Sequence, residues 1–132
     1  MKGGIKMSEK KAADPVHVEA LQALSEYSPR FLNSLKALHD ELVIERKPDT
    51  DEFLDAVIKG MNWEIEVYNG TRELLSGNDA LDKDKANAAF MDFSSAFKRH
   101  DDEEMGRLLR EKIIPFFTAL EGAAISVVTE NQ

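Results

Sequence analysis

The stretch "DKDKANAAFMDFSSAFKR", Asp82 to Arg99, places Ala86, Ala89, Phe90, Phe93, Ala96 and Phe97 at steps of three and four. At about 100° per residue these positions fall on one narrow stripe with lysines and aspartates opposite, whereas a strand would scatter them over both faces. The stretch reads as an amphipathic helix with one buried and one wet face.

Three further segments carry the same period. Upstream, "ADPVHVEALQAL" opens helix one with Asp14 as N-cap and Pro15 in the first turn, where the missing N–H costs nothing. Its apolar face, Leu21, Leu24, Phe31, Leu32, Leu35, Leu38 and Leu42, keeps phase across Pro29, which predicts one helix kinked there. Pro48 ends it, and Asp49 with Glu52 resembles a capping box for helix two, expected from Thr50 to Ser76 with Gly77 as its left-handed cap. Downstream, "HDDEE" supplies acids to the first turn of helix four, where the macrodipole favours them. That helix carries Met105, Leu109, Ile113, Phe116, Leu120, Ala123 and Val127 on one face, with a second kink expected at Pro115. No strand-period run of convincing length occurs. The fold expected is all-α, an antiparallel four-helix bundle over residues 14–132 preceded by a disordered tail, 1–13. Within that tail, Lys2-Gly3-Gly4 can be encoded by a purine-rich run like a bacterial ribosome-binding sequence, and Met7 follows it. Residues 1–6 therefore read as translated leader in a bacterial protein.

Composition narrows the function. With 25 acidic and 17 basic side chains the formal charge is −8, which disfavours a nucleic-acid partner that needs a basic track. The absence of cysteine excludes disulfides and thiolate chemistry and agrees with a reducing cytoplasm. The N-terminus lacks the apolar core of a signal peptide, and no stretch approaches a membrane span, so the expectation is a cytoplasmic protein without a membrane partner.

Motifs for chemistry fail one by one. A di-iron bundle needs Glu three residues before His on two helices, and none of His17, His39 and His100 has it. His39-Asp40 alone lacks the other ligands of a metal phosphohydrolase, and the carboxylates of Glu52 and Asp55 lack a companion acidic motif on a following helix. Phosphate loops, nucleophile elbows and zinc spacings do not occur. No catalytic residue, metal or cofactor is expected.

Two features stand out. Glu64 falls near the middle of the apolar arc of helix two, where a carboxylate must find a cation, find donors, or stay protonated. Its structural partners would be Arg72, Tyr68 or a serine such as Ser94; functionally, it would bind a ligand or move a proton together with Trp63, Tyr68, Arg72 and His39. The second feature is apolar breadth. Ile114, Phe117, Glu121, Ile125 and Val128 form a ladder beside the core line of helix four, and Gly60, Trp63 and Val67 form a stripe on helix two. These surfaces predict a non-catalytic helical interaction module, adaptor or chaperone-like, that forms a homodimer or holds a partner helix. The alternative is a small-molecule binding or catalytic bundle built on Glu64. An acidic mimic of nucleic acid is disfavoured by the interspersed lysines.

Overall fold

A computed structural model describes residues 14–132, and within them the chain is all-helical with four helices and no strand. The expected tail and leader, residues 1–13, lie outside the described residues. Helix α1 spans Pro15–Val43, α2 spans Thr50–Gly70 and α3 spans Lys83–Lys98. Helix α4, Asp102–Glu130, consists of an α-helical start, a π-helical turn at Leu109–Ile113, and a second α-helical part from Ile114. Short 3₁₀ turns, Arg72–Leu75 and Asp79–Leu81, connect α2 to α3. A four-helix bundle fits this architecture: α1 packs against both α2 and α4, and α3 packs against α4.

Local chemistry explains most boundaries. Asp14 accepts the backbone N–H of Val16 at 2.9 Å, Asp82 that of Lys85 at 2.9 Å and Asp101 that of Glu104 at 3.1 Å, so α1, α3 and α4 each begin on an aspartate cap. The capping box expected at Asp49 does not form, since that side chain makes no cap hydrogen bond. Thr50 takes the role from inside the turn: its hydroxyl accepts the Lys47 N–H at 2.7 Å and donates to Glu41 at 2.8 Å, and the residue is buried. Helix α2 stops earlier than Ser76. The Thr71 hydroxyl donates to the Val67 carbonyl at 2.7 Å, and the chain tightens into the 3₁₀ turn; Gly77 follows in the left-handed region at φ 85°.

Pro29 lies inside α1, which continues through it, and Ser28 does not begin a new helix. Before Pro115 the backbone widens, with the N–H of Ile114 reaching the carbonyl of Leu109, five residues back. A proline ring collides with the carbonyl four residues earlier, and a wide turn relieves that collision. The extra residue also rotates the buried face. Leu108 and Leu109 are both in the core, Phe117 joins Phe116, and Ala124 is buried where Ala123 was expected. The expectation that no segment approaches a membrane span is corrected: Asp102–Glu130 is long and apolar enough by length and composition. The same helix supplies the centre of the core with Leu109, Ile113, Phe117 and Leu120.

Aromatic rings join all four helices in one chain of contacts. Trp63 of α2 meets Tyr27 of α1 edge-on at 5.5 Å, Tyr27 stacks with Phe31 at 5.6 Å, and Phe31 meets Phe117 of α4 at 5.0 Å. From there the series continues through Phe90 of α3 and Phe116 to Tyr68 of α2. Each edge-to-face pair contributes roughly 0.5–1.5 kcal/mol beyond the area it buries.

Candidate functional site

Glu64 sits at a layer where α1, α2 and α4 meet. It is 0 % exposed, and its Oε2 accepts a hydrogen bond from the Ser28 hydroxyl at 3.0 Å. Ser28 is itself wholly buried on α1, at the step before Pro29. The other carboxyl oxygen, Oε1, has no hydrogen-bond partner among the described residues. No cation pairs with the group among those residues; the charge that reaches it from α4 is the like-signed Glu121. Burial pushes the Glu64 carboxyl up to about 7, the Ser28 hydrogen bond pulls it down in part, and Glu121 adds to the rise. On α1, burial and the Glu64 charge raise the Tyr27 phenol, against the opposing pull of Arg30.

A serine does hold Glu64, as one of the alternatives expected, but it is Ser28 of α1 and not Ser94 of α3. Arg72 and Ser94 are both exposed, and the Tyr68 hydroxyl donates at 2.6 Å to the Leu81 carbonyl. Ser28 was missed because a serine before a proline reads as a helix boundary, although its place on the core stripe with Leu24, Phe31 and Leu35 was the available signal.

The five residues proposed for a ligand face different surroundings. Tyr68 and Arg72 line a groove with Ser76, Asn78 and Asp82 at the end of α2. His39 lines another with Lys36, Arg110 and Ile114. Its Nδ1 lies 2.9 Å from Asp40, and its buried Nε2 has no partner among the described residues. Trp63 is partly exposed and meets Tyr27 edge-on, so it reaches the solvent at the rim of the Tyr27–Glu64 contact and not a pocket. A groove of about 420 Å³ runs between α3 and α4 over Ala86, Ala89, Phe90, Pro115 and Phe116, and Glu64 is not among its walls. Among the described residues no group of three or more His, Asp and Glu side chains is placed to hold a metal ion.

The apolar surfaces separate as well. Ile125 is 49 % exposed, and Ile114, Glu121 and Val128 on the same flank of α4 are half-buried. Phe117, assigned to that ladder from spacing, is instead fully inside the core against Phe31, a result of the rotation at the π turn. Gly60 is also internal. A Cβ there would collide with the Tyr27 hydroxyl, so its lack of a side chain serves the approach of α1 to α2. Tyr27 and Lys36, nine residues apart on α1, project to opposite sides at about 100° per residue. Trp63 lies by the first and Ile114 by the second, so the stripe on α2 and the flank of α4 are two faces with α1 between them.

An ionic clamp ties the far end together. The Arg46 guanidinium donates to Asp102 at 2.6 Å and to Asp51 at 2.8 Å, joining the first turns of α4 and α2; these bonds, Asp102 foremost, raise its pKa.

No curated protein and no solved structure matches the chain. A family model does, over residues 19–123, a span that holds Tyr27, Ser28, Glu64 and Glu121. The chain belongs to that family, described as "Domain of unknown function (DUF8042)".

Proposed function

We propose that this chain is a non-catalytic helical interaction module, adaptor or chaperone-like, which folds as an antiparallel bundle and self-associates through the outer flank of α4. The observation that carries the reading is Ile125: a large aliphatic side chain 49 % exposed, in line with half-buried Ile114, Glu121 and Val128, one face away from the core residues Leu120 and Ala124. A two-fold contact would set this strip against its own copy and shelter both. Trp63 and Val67 stand on the separate α1–α2 face and are not part of this contact. The charge of −8 and the absence of cysteine support a cytoplasmic setting with protein rather than nucleic acid as the partner.

The test is the oligomeric state of wild type and Ile125→Asp by analytical ultracentrifugation. An exposed site absorbs the charge at little cost, whereas a two-fold interface places two carboxylates together. The expected result is a wild-type dimer and a folded, monomeric variant. A wild type monomeric at high concentration removes self-association and leaves a partner helix as the cover.

A further inference from the structure

Glu64 is a titratable group that the interaction surface does not use, and its surroundings are unusual for a carboxylate. It is fully buried, one oxygen is held by a single neutral hydroxyl, and the other is unpartnered among the described residues. Among the described residues, the titratable groups that face it are the Tyr27 phenol from α1 and the Glu121 carboxylate from α4, neither of which can offset a negative charge. An ionised carboxylate with one donor and no cation is strongly disfavoured in such a place. The neutral acid is compatible with it, and Ser28 can then serve the acid as acceptor or donor.

We propose that the Ser28–Glu64–Glu121 layer is a pH-sensitive seam that holds α2 against α1 and α4 while Glu64 is protonated and loosens when Glu64 ionises. Loosening admits water to the carboxylate and separates the helices where Tyr27, Phe31 and Trp63 pack, since Trp63 is the neighbour of Glu64 in sequence and rests on Tyr27 across the seam. Glu121 also lies on the flank proposed for self-association, but the Ser28–Glu64 contact lies within one chain and needs no dimer.

The sign follows from linkage. Below pH ~4.5, the ordinary value, folded and unfolded chains both carry the proton; between there and about 7 only the folded chain does; above about 7 neither does. Stability is thus full in acid and falls as pH rises towards 7. For a shift from 4.5 to about 7, the folding equilibrium constant drops by about 300-fold in all, of which about 30-fold falls between pH ~5.5 and ~8.5.

The chain has one tryptophan, so Trp63 emission reports the seam directly. Urea unfolding of the whole chain should show the wild type losing about 30-fold in folding constant across that range, with Trp63 emission shifting to the red at a midpoint near 7. In Glu64→Gln, the red shift should vanish and the variant should hold its folding constant about 30-fold better than wild type across that range. Parallel pH profiles for wild type and variant overturn the proposal. Should Glu64→Gln fail to fold, the ¹³C resonance of the Glu64 carboxyl in the wild type decides: titration near 7 supports the seam, and titration near 4.5, the ordinary value, removes it.

Discussion

A methyl group at position 60 would meet the Tyr27 hydroxyl and press on the Phe31 ring, whose nearest atoms lie 3.3 Å from the added carbon. Two opposed effects act on Gly60→Ala. Alanine favours the helix by roughly 1 kcal/mol over glycine, while overpacking a close helix contact costs roughly 1–3 kcal/mol. The net expectation is a loss of about 1 kcal/mol. Removing the obstructing oxygen should reverse the sign, so Gly60→Ala is expected to stabilise in a Tyr27→Phe background, and a double-mutant cycle by urea unfolding measures the coupling. An unchanged cost in that background would place the obstruction elsewhere. At the same scale lies the seam prediction for Glu64, where chemistry rather than volume sets the sign. The sequence showed that a carboxylate sat on an apolar face, and it could not show that its donor among the described residues would be Ser28, 36 residues away.

At the scale of elements, the turn between α1 and α2 separates two residues that spacing alone makes look equivalent. Asp49 has the better capping pattern, yet its side chain makes no cap bond, whereas buried Thr50 satisfies the Lys47 N–H and anchors Glu41. Thr50→Val keeps the shape and leaves two polar groups without their partner, at a cost of about 1–3 kcal/mol; Asp49→Ala should stay within about 0.5 kcal/mol. Thermal or urea denaturation of the pair checks the ordering, and a larger loss at Asp49 would reverse the assignment. The π turn in α4 is the other element-scale event. Pro115 announced an irregularity, but a proline pattern does not say whether the helix bends or takes in an extra residue, and only the second rotates the face beyond it.

Across the whole molecule, the aromatic series from Trp63 to Tyr68 ties the helices together through Phe117. Phe117→Ala should therefore cost about 3–5 kcal/mol, the usual range for a buried phenylalanine, whereas Ile125→Asp should alter association with little loss of fold. The two substitutions lie on one helix eight residues apart, and their contrast separates the core of α4 from its outer flank. If Phe117→Ala left the fold intact and abolished association, Phe117 would belong to an interface after all.

Periodicity settled the class of each element: the three- and four-residue period of Ala86, Phe90, Phe93 and Phe97 and the aspartate at Asp14 suffice for helices and several of their starts, whereas α1 already ends at Val43, ahead of Pro48. Periodicity reports the side of a residue relative to its own helix axis, and for that reason it also exposed Glu64 as a carboxylate facing inward. The tertiary structure alone decided which neighbours fill the space that side faces. It gave Glu64 the Ser28 hydroxyl in place of Arg72 or Tyr68, turned Gly60 into the clearance for Tyr27, moved Phe117 from surface to core through the π turn, and set Trp63 and Ile114 on opposite sides of α1. Each of these depends on the distance and rotation between two helices, quantities that arise from side chains of both elements packing together and that no single helix encodes.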